Sequence, residues 1–419
     1  MRDWLARLRW RAHAATMLDQ VLSSLSNVLA VVLVAKASGA DDFGRFSLAY
    51  TVLTLVVALN RSYLGNRVSL SADDHSARAA TASAAGGLVA VSPLVVVVVW
   101  LVASVAGSGG TLVLFVALAA PVVCLQDVLR FGAVASRRPG AALASDAVWV
   151  AVLVVPLVAS VRPTPIQAVL IWAAGAVVAA AVGLVRLGIR PRVVEGWRAL
   201  RQHDALGRSL VLGRLLTTSA SLTAIAVSSA VIGPAAAGAL RGASTLLGPL
   251  NGIFALVPLS LTPMLVRRPR SGDLRACAAI AATLLTLVVT VGGALLLLPT
   301  ELGTRLLGDS WAGARAVLPF TVLEYCSISV TAAVILAAKV RGDARAIAVQ
   351  QAVLAGVVVV LGIGAAWFTR EPRFVAAAFA VGSLASAATG ILWLVRDRRA
   401  VPESGQAVGG GTGPRVRWK

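Results

Sequence analysis

The chain has few charged residues, and acidic residues are the scarcest of them. Only 13% of its 419 residues are charged, and 38 Lys and Arg stand against 18 Asp and Glu. Soluble globular domains carry about 25% charged residues, so the composition excludes an ordinary soluble fold. A nucleic-acid-binding protein would gather its basic residues on one solvated face, whereas here they are spread between long apolar runs.

Residues that carry common catalytic and metal-binding motifs are also scarce. None of the three lysines follows a glycine, which excludes a Walker A site for ATP. The three histidines form no His-Glu-x-x-His motif, and no strict G-x-S-x-G motif occurs. The three cysteines lack metal-ligand spacing and are typical of packing residues. The sequence therefore predicts no enzyme, no cofactor and no metal site, and an ion gradient or a substrate gradient as the energy source.

Long apolar segments are what the chain has in abundance. Hydrophobic residues make up 58% of it, and they form twelve segments of about the 20 residues that a transmembrane helix needs. The sequence therefore predicts an all-α polytopic membrane protein with twelve transmembrane helices. The predicted spans begin near Thr16, Gly44, Ala80, Thr111, Ala141, Ile166, Ser209, Ala236, Leu274, Ala314, Ala344 and Phe374.

The basic residues orient these segments. Of the 38, 29 fall in the termini and alternate loops predicted to be inside, and five in the loops predicted to be outside. By the positive-inside rule this pattern predicts a protein of the cytoplasmic membrane with both termini in the cytoplasm. A signal-peptidase site at Ala35-Lys36-Ala37 is the alternative, and it would remove the first span. Asp19, Gln20 and Asn27 disfavour it because they interrupt the apolar region.

The spans divide into two halves with a weak internal similarity. Gly39 and Gly44 match Gly233 and Gly238 at an offset of 194 residues, as expected of a duplicated transporter. The prediction is two six-helix lobes, with a cavity between them. The predicted units are an N-lobe of residues 1–187, a basic cytoplasmic connector of residues 188–208, a C-lobe of residues 209–396, and a disordered cytoplasmic tail of residues 397–419.

Polar residues inside the spans mark the candidate site. A charged side chain at the centre of a transmembrane helix costs at least about 2.5 to 3.5 kcal/mol, so one that is present is expected to face a cavity or a partner. Cavity positions are predicted for two basic and two acidic residues and for three amides: Arg214, Arg241, Asp19, Glu324, Gln20, Asn27 and Asn251. For the four charged residues a buried structural ion pair is the alternative. Asp127 and Arg130 are three residues apart near the membrane interface, which predicts a structural or gating pair shared with Asp146.

The residue types suggest separate roles. Guanidinium groups bind phosphate through two parallel hydrogen bonds, so Arg214 and Arg241 suit an anionic headgroup such as a lipid diphosphate. Asp19 and Glu324 suit proton or Na⁺ coupling, or the gating of those arginines. Asn27, Gln20 and Asn251 suit hydrogen bonds with sugar hydroxyls.

With these residues placed, the sequence resembles the multidrug/oligosaccharidyl-lipid/polysaccharide (MOP) exporter superfamily, in its polysaccharide-flippase branch. The resemblance covers all twelve predicted spans and implies two six-helix lobes, a V-shaped cavity, and alternating access that moves a lipid-linked glycan outward. The motifs that carry it are Asp19-Gln20-x-x-Ser23-Ser24-x-x-Asn27, Gly39-Ala40-Asp41-Asp42-Phe43-Gly44-x-Phe46, Gln126-Asp127-x-x-Arg130, Asp146-x-x-Trp149, Gly238-Ala239-Leu240-Arg241-Gly242 and Gly248-Pro249-Leu250-Asn251.

Our leading hypothesis is a flippase for a polyprenyl-diphosphate-linked oligosaccharide. Its expected partners are the lipid-linked saccharide, membrane lipids, H⁺ or Na⁺, and the glycosyltransferases and polymerase of a glycan pathway, with no role for nucleic acid. Three alternatives stay open. They are a cation-coupled multidrug antiporter of the same superfamily, a membrane glycosyltransferase using Asp41 and Asp42, and a membrane scaffold that transports nothing.

Overall fold

The protein is almost entirely helical in its described part. A computed structural model describes residues 2–69, 71, 73–105, 110–159, 163–201, 205–254, 273–341 and 343–400. The helices of the first half are α1 (Arg2–Ala37), α2 (Ala40–Asn60), α3 (Asn66–Ser69), α4 (Asp74–Val105), α5 (Thr111–Ala135), α6 (Pro139–Val158), α7 (Pro165–Leu187) and α8 (Val193–Arg201). Those of the second half are α9 (Ala205–Val231), α10 (Pro234–Leu246), α11 (248–254), α12 (Asp273–Leu296), α13 (Thr300–Leu307), α14 (Trp311–Arg341), α15 (Ala344–Thr369) and α16 (Pro372–Ala400).

Ten of the predicted spans coincide with helices that are long and apolar enough to cross a membrane. The other two predicted spans fall on α9 and on α10 with α11. Helix α9 is apolar over the shorter stretch Thr218–Val231, and residues 255–272, which follow α11, lie outside the described part. The fold class predicted from hydropathy, an all-α polytopic membrane protein, is confirmed.

The helices pack in two sets that meet along α2. In the first half, α4 and α7 pack on α5, and α1 and α7 pack on α6. In the second half, α10, α12 and α16 pack on α14, and α9 and α16 pack on α15. Helix α2 of the first half packs on α9 and α10 of the second and makes most of the contact between the two sets, to which α1 adds contacts with α10 and α13.

A pair of glycines that the duplication matches lies at this contact. A Cβ atom on Gly44 would lie 1.9 Å from the carbonyl oxygen of Pro234, and one on Gly238 would lie 3.3 Å from the Cα atom of Gly44. Helices α2 and α10 therefore approach backbone to backbone, as small residues allow in membrane proteins.

The predicted connector contains the ordered helix α8. Its backbone lies directly on α4, because a Cβ atom on Gly196 would be 2.0 Å from the amide nitrogen of Gly87. Two side chains from the segment after α2 donate hydrogen bonds to the last carbonyl groups of α8. Arg67 Nη1 donates to the carbonyl of Ala199 at 3.1 Å, and the Tyr63 hydroxyl donates to the carbonyl of Leu200 at 3.4 Å. Tyr63 belongs to the π-helical turn Arg61–Gly65, which joins α2 to α3. These bonds hold α8 against the end of α2.

Candidate functional site

A polar cavity of about 460 Å³ separates the two sets of helices. Its walls come from α1, α2, α5 and α6 of the first half and from α9, α10, α11 and α14 of the second. Hydroxyl and amide groups dominate the wall. The polar lining residues are Gln20, Ser23, Ser24, Ser26, Asn27, Tyr50, Thr54, Arg61, Gln126, Asp127, Arg130, Thr218, Arg241, Ser244, Thr245, Asn251 and Tyr325.

Arg241 reaches this cavity from α10 and lies over a ring of the opposite half. Its guanidinium carbon is 4.6 Å from the ring centroid of Tyr50. The Tyr50 hydroxyl donates to Asn27 Oδ1 at 2.8 Å, and this bond holds the ring in place. No carboxylate of the described residues lies within 4.0 Å of Arg241, and its Nε atom is buried without a hydrogen-bond acceptor there. The guanidinium of Arg241 therefore lies in the cavity wall without a carboxylate partner among the described residues.

A second amide–tyrosine pair lies on the second-half wall. Asn251 Nδ2 donates to the Tyr325 hydroxyl at 2.9 Å, and both residues line the cavity. Gln20 and Asn27 line it on the α1 side. All three predicted amides thus lie in the wall, where they can bond with hydroxyl-rich ligands.

The charged residues of the first half form a buried cluster around Arg130. Its Nη2 atom donates to Asp19 Oδ2 at 2.9 Å, and its Nε atom lies 3.1 Å from Asp146 Oδ2. Asp127 Oδ1 is 3.7 Å from Nη1. The exposed fractions of Asp19 and Asp146 are 1% each, and that of Arg130 is 7%. Buried salt bridges therefore link helices α1, α5 and α6.

Arg61 neutralises the carboxylate of this cluster that lines the cavity. Its Nη2 atom donates to Asp127 Oδ1 at 2.7 Å and its Nε atom to Oδ2 at 2.9 Å, the two-bond geometry that strengthens Arg–carboxylate pairs. Gln126 Nε2 donates to Asp146 Oδ1. The cluster contains three carboxylates and two guanidinium groups, and each carboxylate lies within 3.1 Å of one of them.

Two of the residues predicted to line the cavity do not line it, and the side chain of a third is outside the described residues. Asp19 does not line the cavity but follows the ion-pair alternative, since its carboxylate bonds to Arg130 in the buried cluster. A buried carboxylate needs such a compensating charge. Glu324 does not line the cavity, although its neighbour Tyr325 does. The side chain of Arg214 lies outside the described residues, so its cavity position stays a prediction.

Sequence reasoning missed three cavity residues, namely Arg61, Tyr50 and Tyr325. In the sequence, Arg61 is one of the 29 basic residues that orient the spans, and no local pattern links it to Asp127. The tyrosines had a usable signal, since the chain contains only three and a phenol inside an apolar span needs a polar partner. The acidic pair proposed for a glycosyltransferase lies in the first turn of α2, where Asp42 pairs with the exposed Arg45 at 3.2 Å.

Solved structures provide the only matches to known proteins, since no protein-family model and no curated protein matches the chain. An inward-facing MATE-family multidrug transporter of the MOP superfamily is 11% identical, with a TM-score of 0.68, over 91% of this chain and 96% of that one. The lipid II flippase MurJ in an inward closed conformation is 12% identical, with a TM-score of 0.67, over 92% of this chain and 87% of that one.

An outward-facing MATE-family structure gives a lower TM-score of 0.54, at 12% identity, over 94% of this chain and 96% of that one. Together these similarities establish that the chain has the fold of MOP-superfamily transporters.

Proposed function

We propose that the protein is a flippase that moves a polyprenyl-diphosphate-linked oligosaccharide across the cytoplasmic membrane by alternating access. The observation that carries this proposal is Arg241, a cation in a polar cavity with no carboxylate beside it among the described residues. A guanidinium in this state favours a phosphate or another anionic group. The similarity in fold to a lipid II flippase supports the same class of cargo.

The remaining cavity wall suits a saccharide. Serine, threonine, asparagine and tyrosine groups line it in both halves, and such groups bond to sugar hydroxyls in either direction. The described carboxylate in the wall, Asp127, is neutralised by Arg61, so it does not repel a diphosphate. In this proposal Arg241 and Arg214 contact the diphosphate or acidic sugars, whereas Asn27, Gln20 and Asn251 contact the sugar.

Asp19 and Glu324 stay the proposed coupling or gating residues. A proton or Na⁺ at Asp19 would compete with Arg130 for the same carboxylate and release that guanidinium. Because Arg130 also contacts Asp127 and Asp146, its release would loosen the joint between α1, α5 and α6.

The proposal is tested in cells whose surface glycan depends on this chain. Arg241→Ala should lower glycan export, whereas Arg45→Ala should not, because Arg45 is an exposed arginine that does not line the cavity. Both variants must first be shown to reach the membrane in equal amounts. Normal export by the Arg241→Ala strain would refute the binding role of Arg241.

A cation-coupled multidrug antiporter is the second candidate, and one observation favours it. Among the described residues the buried cluster has three carboxylates against two guanidinium groups, so one further cation would balance its charge. A MATE-family transporter shares the fold. This candidate predicts proton-driven efflux of an organic cation such as ethidium from vesicles, and the flippase proposal predicts none.

A further inference from the structure

A second cavity, which we call the lateral cavity, lies on another face of α2. It measures about 450 Å³, within the range of about 300 to 1,000 Å³ typical of ligand pockets. Its wall comes from α2 with its π-helical turn, α4, α5, α8 and α9. Val56, Leu59, Leu88, Val91 and Val95 give it an apolar surface, in contrast to the polar central cavity.

The two polar residues in this wall direct hydrogen bonds to the protein itself. Asn60 Nδ2 donates to the carbonyl of Cys124 at 3.2 Å, and the Tyr63 hydroxyl donates to the carbonyl of Leu200 at 3.4 Å. Most of the lining residues are half-buried, so the cavity opens to the outside of the helix bundle. On a membrane-spanning helix this outside is hydrocarbon, and the cavity suits an alkyl or isoprenoid chain.

The two cavities share α2 as a wall, and two consecutive residues at the end of that helix line one cavity each. Asn60 lines the lateral cavity, and the next residue, Arg61, lines the central cavity. Arg61 holds Asp127 through Nε and Nη2, so its Nη1 atom has no partner among the described residues, and the side chain is 47% exposed. A guanidinium nitrogen with no partner among the described residues therefore lies in the central cavity, on the residue that follows Asn60 in the wall of the apolar cavity.

Helix α8 adds further positive charge at this end. Leu200 of α8 lines the lateral cavity, and the adjacent Ala199 carbonyl is bonded to Arg67. Arg201 stacks on Trp197 at 4.5 Å, and Trp197 is 41% exposed. Tryptophan and arginine together are typical of helices at the membrane–water interface.

We propose that the lateral cavity holds the hydrocarbon tail of the cargo lipid, while Arg61 shares the diphosphate with Arg241 and the saccharide occupies the rest of the central cavity. This inference rests on the function proposed above and identifies where that substrate is held. The physical reason is that the two ends of such a lipid need opposite surroundings, and α2 separates an apolar cavity from a polar one. The diphosphate connects the tail of the lipid to its saccharide, and the consecutive residues Asn60 and Arg61 belong to the walls of the two cavities.

Photocrosslinking of the full chain tests this inference. A benzophenone amino acid replaces Val91, which lines the lateral cavity, or Val97, which is on the same helix, is 53% exposed and lines no part of it. The purified proteins are placed in bilayer discs that contain phosphatidylglycerol and a small amount of a polyprenyl-diphosphate-linked disaccharide. The adducts are then identified by mass.

We expect the position 91 probe to capture the polyprenyl lipid far above its share of the bilayer, and the position 97 probe to capture mainly phosphatidylglycerol. Capture of both lipids in bilayer proportion at both positions would overturn the inference. Capture of phosphatidylglycerol alone at position 91 would overturn it too, since the cavity would then be a site for bulk lipid.

A cavity-filling pair separates this inference from the proposed function. Val91→Trp should weaken binding of the disaccharide lipid several-fold, whereas Val97→Trp should not. If both variants bind like the unmodified chain while Arg241→Ala binds more weakly, the tail site is wrong and the flippase proposal stands. If the unmodified chain does not bind the lipid at all, the proposed function itself fails. If Val91→Trp does not fold, Leu88→Phe serves as the filling variant.

Discussion

Arg130 shows how much a single buried side chain can hold together. It contacts carboxylates from α1, α5 and α6 and is almost completely buried. Removing one partner of a buried ion pair costs about 3 to 5 kcal/mol, because the other charge stays buried without compensation. We predict that Arg130→Ala lowers the free energy of unfolding by about that amount, measured by thermal unfolding in detergent.

The matched control is Arg45→Ala. Arg45 and Asp42 are about half exposed, and such surface pairs contribute about 0 to 1 kcal/mol. Equal losses of stability in the two variants would contradict the structural role of Arg130.

Substitutions of Tyr50 can separate the effect of its ring, which contacts Arg241, from the effect of its hydroxyl, which bonds to Asn27. Tyr50→Phe keeps the ring and loses the bond to Asn27, whereas Tyr50→Leu loses both. A cation–π contact contributes about 0.5 to 2 kcal/mol, so we predict that Tyr50→Leu weakens cargo binding about 2- to 30-fold relative to Tyr50→Phe. The measurement is the Kd for a lipid-linked disaccharide, and equal values would show that the ring does not position Arg241.

Sequence reasoning at the residue scale succeeded for partners on one helix turn and for Asp146, which opens the next helix and contacts Arg130. Asp127 and Arg130 are one helical turn apart, so their proximity followed from spacing. Asp19 and Arg130 are 111 residues apart, and their contact depends on how α1 packs near α5 and α6. Arg61 and Asp127 are 66 residues apart, and nothing in the local sequence of either residue indicates the pair.

The two halves meet mainly where α2 packs on α10. Gly44→Ala would place a methyl group against the Pro234 carbonyl, and overpacking of this kind typically costs about 1 to 3 kcal/mol. We predict lower thermal stability and lower export. Gly356→Ala is the control, because nothing lies within 4 Å of a Cβ atom there and alanine favours a helix interior. A tolerated Gly44→Ala variant would mean that the close approach is dispensable.

Helices were the part of the fold most accessible from sequence, because apolar length and basic flanks report directly on membrane spans. The paired glycines were found as a repeat, but only the packing of α2 on α10 revealed their contact. Helix α8 and the π-helical turn were missed. Both lie in basic segments that had been interpreted only as topology signals, and their contacts, Arg67 and Tyr63 with α8, join residues more than 130 positions apart.

At the scale of the whole molecule, the charges in the cavity help to decide between two functions that proteins with this fold have. The fold is shared with a MATE-family transporter and with a lipid II flippase, so the fold alone does not decide between them. The decision depends on the cavity, where the carboxylate Asp127 is paired with Arg61 and Arg241 has no carboxylate partner among the described residues. This arrangement favours an anionic cargo over a cationic one.

Translocation in proteoliposomes tests the central claim most directly. The purified chain is reconstituted with a labelled polyprenyl-diphosphate-linked disaccharide, and the fraction reaching the opposite leaflet is measured by enzymatic access to the sugar. We predict translocation by the unmodified chain and by Arg45→Ala, and a marked loss in Arg241→Ala. No translocation by the unmodified chain, together with proton-driven efflux of ethidium from the same vesicles, would contradict the flippase proposal.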